Sequence, residues 1–282
     1  MVETRRGGLL GECVGLAPHG ETVVSCSDDG RVQIWKKTVE SLDVEGQVSA
    51  FDILGERVAV GGRDHELSVW NLATSDREWR ARNVPNDMLD LRKPVWVSAA
   101  RFRTETTLVV GTKHRQLRLY DSRAQRRPVA DVENATDHAV RQLMLLDENT
   151  ALVADVAGSV QIFDLRKSTI RLRARYPGPA GSVRALARSG PLFAAAGLDR
   201  HVHIWDYEAR LTAPKKRPML SIYCKQRLNA LLWMPSLSTT TTDHLFPTAT
   251  VNDDDESNDD DQGSSSSSEE EEEEEESEDD DA

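Results

Sequence analysis

Apolar and polar residues alternate with period two along many short stretches of this chain. In Arg31-Val32-Gln33-Ile34-Trp35 and in Gln116-Leu117-Arg118-Leu119-Tyr120 the apolar side chains fall on one side and the polar ones on the other, as they do in a strand. Five segments repeat one cadence: VVSCSDDGRVQIW, VAVGGRDHELSVW, LVVGTKHRQLRLYD, LVADVAGSVQIFD and FAAAGLDRHVHIWD. Each is a β-rich run, a turn of small and polar residues, and a second run ending in an aromatic. The aromatics Trp35, Trp70, Tyr120, Phe163 and Trp205 are spaced by 35, 50, 43 and 42 residues. Asp29, Asp64 and Asp199 stand six residues before their aromatic, where a carboxylate accepts bonds from turn N–H groups. His114 and Ala157 hold that place in units three and four, so looser turns are expected there.

Each unit also has two further strand candidates. Upstream runs are 12–16, 48–53, 97–102, 140–146 and 183–187. Outer runs are 41–44, 78–81, 128–132, 170–174 and 219–224. Four strands recurring at roughly 40–45 residues describe a WD-repeat blade. The expected fold is all-β, a WD-repeat β-propeller with five recognisable blades at about 10–45, 46–84, 97–133, 138–176 and 181–225. Residues 228–233 are expected to form one extra strand that either opens a further blade or closes the ring, and the propeller domain is expected to span 1–236. No Gly-His pair opens a blade, so the repeats are divergent. Five blades either close on themselves or belong to a chain short of about two N-terminal blades, and the second reading is preferred.

Composition divides the chain. Residues 251–282 hold 19 Asp and Glu and no Lys or Arg, which leaves 29 acids against 35 Lys and Arg before them. A body of net +6 therefore carries a tail of net −19, an arrangement suited to work near polyanions or simply to solvation. The tail, 237–282, is expected to be disordered, because Ser, Asp and Glu bury too little apolar area to offset chain entropy. Ser257, Ser266 and Ser277 precede acids and are candidate phosphorylation sites. The tail either competes with RNA for the basic body, binds basic proteins, or only solvates. Cys13, Cys26 and Cys224 are odd in number and far apart, against a disulfide framework or structural zinc. No apolar run reaches the ~20 residues of a membrane span, so no membrane association is expected.

Four segments go beyond generic blades: RARNVPNDMLDLRKPVW (80–96), YDSRAQRRPV (120–129), AGSVRALARSGPLFAAAGLDRHVHIWD (180–206) and YCKQRLNALL (223–232). With them, residues 10–233 resemble the family of WD repeat-containing protein 74 and its fungal counterpart, the Nop7-associated ribosome biogenesis factor. That resemblance implies a seven-bladed propeller matched here over blades three to seven. It also implies a non-catalytic scaffold on nucleolar pre-60S ribosomal particles, in contact with rRNA and assembly factors, and released by an AAA ATPase. The family's basic C-terminal region is replaced here by the acidic tail, so a nucleolar signal does not carry over. The alternative is a WD adaptor in another nuclear or cytoplasmic pathway.

Candidate particle-binding or RNA-binding residues lie in three places. The insertion 80–96 offers Asn86, Asp87, Asp90 and Arg92, with Leu89, Leu91 and Trp96 expected to anchor it to the propeller. It is either a binding loop on a rigid scaffold or a packed loop covering a blade edge. Arg123, Arg126 and Arg127 crowd a turn before Pro128, a fork set suited to backbone phosphates. Lys225 and Arg227 are expected to help close the ring or present charge at its rim. Lys215, Lys216 and Arg217 read as a solvated loop. His201 and His203 share a strand face without further ligands, so no metal is expected. No phosphate loop and no nucleophile or metalloprotease motif occurs, so no enzyme, cofactor or small-molecule substrate is expected.

Overall fold

A computed structural model describes residues 11–36, 39–166, 169–208 and 217–234, all within the compact unit Met1–Pro235. The acidic tail with Ser257, Ser266 and Ser277, and Lys215 and Lys216, lie outside the described residues.

Alternating sequence becomes five antiparallel four-stranded sheets, each paired in chain order. Blade one is β1 (Cys13–His19), β2 (Thr22–Ser27), β3 (Arg31–Trp35) and β4 (Val39–Asp43). Blade two is β5 (Val48–Leu54), β6 (Arg57–Gly62), β7 (Ser68–Asn71) and β8 (Arg77–Arg80). Blade three is β9 (Val97–Phe102), β10 (Thr107–Thr112), β11 (Leu117–Asp121) and β12 (Ala130–Val132). Blade four is β13 (Val140–Asp147), β14 (Thr150–Asp155), β15 (Val160–Asp164) and β16 (Arg171–Tyr176). Blade five is β17 (Val183–Ser189), β18 (Leu192–Gly197), β19 (His201–Asp206) and β20 (Leu220–Tyr223). The architecture is an all-β propeller of five blades.

The first strands form the inner wall: β1 packs on β5, β5 on β9, β9 on β13, and β13 on β17. Every inner strand carries one bulge near its start. The register skips a residue between Cys13 and Gly15, Val48 and Ala50, Val97 and Ala99, Val140 and Gln142, and Val183 and Ala185. The extra residues are Val14, Ser49, Ser98, Arg141 and Arg184. A bulge bends the strand and re-aims its extra side chain, here at the same height in each blade. Two of the five tie neighbouring blades together. Ser49 Oγ donates to the Val97 carbonyl at 2.6 Å and Ser98 Oγ to the Val140 carbonyl at 2.7 Å.

Four apolar clusters fill the four gaps between successive blades. The aromatic that ends the third strand of blades two to five faces the preceding blade. Tyr120 packs against blade two and Trp79, and Trp205 against blade four through Tyr176. In blades two to four the polar residue two places before it shares that face and is also buried: Ser68, Arg118 and Gln161. Alternation therefore separates a leading from a trailing interface, not a core side from a water side, because blades cover both faces. Blade one has no preceding blade among the described residues, and no strand of blade five packs on it to a comparable extent. Its leading face leaves Leu16, Val23 and Val39 exposed.

Three expectations change. The turn of unit four is tight: Asp155, two residues before the expected position, accepts from the N–H groups of Ala157, Gly158 and Ser159 at 3.0, 2.9 and 2.8 Å. Gly158 follows at φ +107°, where a Cβ would stand 1.9 Å from the Pro179 carbonyl oxygen. Unit three is held likewise, Thr112 Oγ1 accepting from Gln116 N at 3.1 Å. Residues 228–233 form no strand; Leu228 N donates to the Gly197 carbonyl at 3.2 Å and the segment runs on irregularly. Lys225 and Arg227 therefore close no ring.

Candidate functional site

The insertion after β8 is built on backbone bonds at its two ends. Ala81 N donates to the Leu67 carbonyl at 2.8 Å, and Asp64 N reaches across to the Val95 carbonyl at 2.9 Å. Arg63 pairs with Trp96 as an isolated bridge and places its guanidinium 5.2 Å from the indole centre, a cation–π contact. Asn83 clamps the neck: its amide donates to the Lys93 carbonyl at 2.7 Å, and its oxygen accepts from Val84 N at 2.9 Å and Arg118 Nη1 at 3.3 Å. Lys93 pairs with Glu133 of the neighbouring blade.

Beyond the neck the loop carries its own frame. Asp87 Oδ1 accepts from Leu89 N at 2.9 Å and Leu91 N at 2.8 Å, and Asp87 N donates to the Leu91 carbonyl at 3.1 Å. Asn86 Nδ2 donates to Asp90 Oδ1 at 2.8 Å, and Asp90 takes φ 57°, a conformation its short polar side chain tolerates. This framework turns the apolar side chains outward. Met88 is fully exposed, Leu89 is 78% exposed and Leu91 is 59% exposed. Leu89 and Leu91 thus do not anchor the loop, contrary to expectation. The neck residues Asn83 and Trp96 do.

The structure brings the basic turn to this insertion. Arg82 N donates to the Arg126 carbonyl at 2.7 Å, and Arg126 Nε to the Arg80 carbonyl at 2.8 Å. Arg126 is partly a structural residue. Arg123 is exposed; its N–H bonds Asp121 Oδ1 at 3.0 Å while its side chain edges a shallow hollow with Arg57, Glu78 and Glu105. Arg127 is exposed. Arg92 lies 4.0 Å from Glu66. Lys225 and Arg227 are exposed beyond β20 of blade five and do not join this rim.

Beneath the rim lies a buried charge cluster that periodicity did not single out. Arg118 is 1% exposed, with Nε 3.4 Å from Asp131 Oδ1 and Nη2 lacking a hydrogen bond. Glu66 is buried with both carboxylate oxygens unbonded. Burial raises its pKa above the ordinary carboxylate value, opposed by Arg118, Arg92 and Arg80. An Arg between Leu117 and Leu119 on a strand covered on both faces was the available signal.

The blade-turn residues act structurally. Asp29 accepts from Ser27 Oγ and Arg31 N, and Asp199 from His201 N at 3.1 Å. Asp64 instead adopts φ 51°. Trp35 and Trp70 donate from Nε1 to Ser25 and Ser68 at 2.8 and 3.0 Å. Trp205 is buried and stacked on Phe193 at 5.0 Å. His203 bridges Asp199 Oδ2 at 2.9 Å and Ser221 Oγ at 3.0 Å. Among the described residues no group of His, Cys, Asp or Glu is arranged to hold a metal ion.

Comparison with known proteins gives three findings. The family described as "WD domain, G-beta repeat" matches residues 12–36 and 170–206. WD repeat-containing protein 74 is similar at 33% identity over 240 residues in Bos taurus and 32% in Homo sapiens, in each case covering 77% of this chain and 59% of that protein. Ribosome biogenesis protein NSA1 of Yarrowia lipolytica is 27% identical over 242 residues, covering 69% of this chain and 59% of that protein. The chain thus spans about three fifths of the length of these relatives. The crystal structure of the computationally designed Ika8 protein superposes with a TM-score of 0.62 at 17% identity, over 79% of this chain and 65% of that one, a likeness of fold alone.

Proposed function

We propose, for a chain that belongs to the family of WD repeat-containing protein 74 and ribosome biogenesis protein NSA1, a non-catalytic role as a scaffold in assembly of the large ribosomal subunit. It docks on nucleolar pre-60S particles through the rim of blades two and three, and an AAA ATPase drives its release. Ribosome biogenesis is the role named for the NSA1 relatives of Yarrowia lipolytica and Schizosaccharomyces pombe. The observation that carries the reading is the joining of insertion and basic turn by the Arg82–Arg126 and Arg126–Arg80 bonds. That junction ties the base of an insertion that ends in a preformed apolar tip to a turn whose Arg123 and Arg127 are exposed. The tip suits an apolar pocket on an assembly factor, and a rigid anchor loses little entropy on docking. The forks suit rRNA phosphates, which position without specifying sequence.

Two double variants test the surface: Leu89→Asp with Leu91→Asp, and Arg123→Glu with Arg127→Glu. Arg126 is left in place because it holds the insertion. Each pair is expected to cut co-sedimentation with large-subunit precursors at least about tenfold at physiological salt, the leucine pair because a buried apolar side chain contributes about 1.5–3 kcal/mol and the arginine pair because charge-assisted bonds contribute about 1.5–3 kcal/mol each. Unchanged sedimentation removes the rim from the assignment. Depletion of the chain with no accumulation of large-subunit precursor RNA removes the ribosomal role itself. Retention on particles after incubation with the ATPase and ATP removes the release step.

A further inference from the structure

The inner wall holds cations that no carboxylate among the described residues neutralises. Four of its five bulge positions lead from blade two to blade five as Ser49, Ser98, Arg141 and Arg184. The two serines spend their hydroxyls on the next inner strand. The two arginines have no such partner. Among the described residues neither guanidinium makes a hydrogen bond or an ion pair, and Arg184 Nε is buried with no acceptor. Gln142, next to Arg141, donates to the Arg184 carbonyl at 2.8 Å, which locks the two bulges side by side. Lys113, in the β10–β11 turn of blade three, is held through its N–H to the Trp96 carbonyl at 2.9 Å, while its ammonium is equally unpaired among the described residues.

These three groups feel one another. Burial, then Arg141 and Arg184, lower the Lys113 pKa; burial, then Arg184, lower that of Arg141. No acid among the described residues contributes to either. Arg141 also lines a cavity of about 260 Å³ on the inner wall together with Arg63 and Trp96. Glu12 and Asp28 form part of the same wall, but neither makes an ion pair with Arg141. Partly desolvated, mutually repelling cations destabilise the fold unless a counter-charge joins them. A cluster of forks with unused N–H groups matches a tetrahedral oxyanion.

We propose that Arg141, Arg184 and Lys113 form a phosphate-binding site on the inner wall of blades three to five. The ligand class is a phosphate group, either free or within an RNA backbone. The site uses none of the rim residues Leu89, Leu91, Arg123 and Arg127, and its test needs no ribosomal particle, so its failure and that of the ribosomal reading are separable.

The experiment uses the full chain, with inorganic phosphate titrated against chloride at equal ionic strength and followed by thermal unfolding and calorimetry. A fluorescent ten-nucleotide oligouridine is the second probe, followed by anisotropy. Phosphate is expected to raise the unfolding midpoint beyond chloride. Arg141→Gln and Arg184→Gln should each weaken binding about tenfold or more, the scale of one lost charge-assisted bond. Arg123→Gln, on the outer turn, should leave it unchanged. Lys113→Gln provides an independent variant if either arginine variant fails to fold. Binding of inorganic phosphate with these dependences supports a free-phosphate site. Binding of oligouridine that phosphate displaces, with the same dependences, assigns a backbone phosphate. No phosphate effect beyond chloride overturns the proposal, as does binding indifferent to all three variants. A synthetic peptide of residues 264–282 that binds through Arg141 when neither phosphate probe does would also overturn it, in favour of an acidic segment.

Discussion

Glu66 and Arg118 show how a buried charge shapes this protein at the scale of one residue. The carboxylate of Glu66 is buried and unbonded, and its pKa in the fold is raised, mainly by desolvation. Above that raised value Glu66 is ionised in both states, and its charge opposes folding. As pH falls through it toward the ordinary 4.5, the folded chain takes up the proton first and the penalty disappears. Glu66→Gln removes the charge at every pH. The variant is expected to be more stable than the parent at pH 7.5 by roughly 1–2 kcal/mol, the scale of one buried unsatisfied group, with the gap closing toward pH 4.5. Urea midpoints at pH 7.5 and 5.0 measure it. A less stable variant at pH 7.5 would mean that the charge supports Arg118 more than burial opposes it. Neither residue was legible as buried, because alternation places Arg118 on a polar side and only the stacked neighbouring blade turns that side into an interface. Asp155 was missed for a related reason. The turn it holds was sought at a fixed distance from the aromatic, whereas a carboxylate at the end of β14 reaches the same three N–H groups from two residues earlier.

Elements were far more legible than their surroundings. Each inner strand begins within a residue of its expected start, because β-branched alternation bounded by turn residues is a local property. The insertion was legible as an insertion, from the 50-residue spacing, but not in its orientation. Leu89 and Leu91 read as anchors by hydrophobicity. Asp87 overrides that, since binding both of their N–H groups closes the loop on itself and points the side chains out. Asp87→Ala is therefore expected to release the tip without unfolding the blade. Amide hydrogen exchange at Leu89 and Leu91 should accelerate about tenfold, the loss of roughly 1.4 kcal/mol of local protection. The global urea midpoint should move by less than about 0.5 kcal/mol, as for an exposed substitution away from a core. Unchanged exchange at both amides would mean that the neck, through Asn83, is enough to order the tip.

At the scale of the whole molecule the blades are equivalent in register but not in cover. Counting from the bulge, Leu16, Phe51, Ala100, Leu143 and Leu186 occupy one position, two residues after Val14, Ser49, Ser98, Arg141 and Arg184. All lie on the leading face. Phe51, Ala100 and Leu143 are buried against the blade before them, whereas Leu16 is 67% exposed. The same side chain type at the same place in the fold thus reports whether a blade precedes it. Leu143→Ala should cost about 2–5 kcal/mol, because it leaves a cavity between blades three and four. Leu16→Ala should cost less than about 0.5 kcal/mol, since an exposed side chain already lies in water. Urea unfolding of the two variants at low micromolar concentration makes the comparison, and repeating it at tenfold higher concentration separates covering by the chain itself from covering by a second copy. A Leu16→Ala cost approaching that of Leu143→Ala at both concentrations would mean that a segment of the same chain seals the leading face. A cost that grows with concentration would mean that a second molecule does. The small, concentration-independent cost expected here leaves blade one's leading face open in solution.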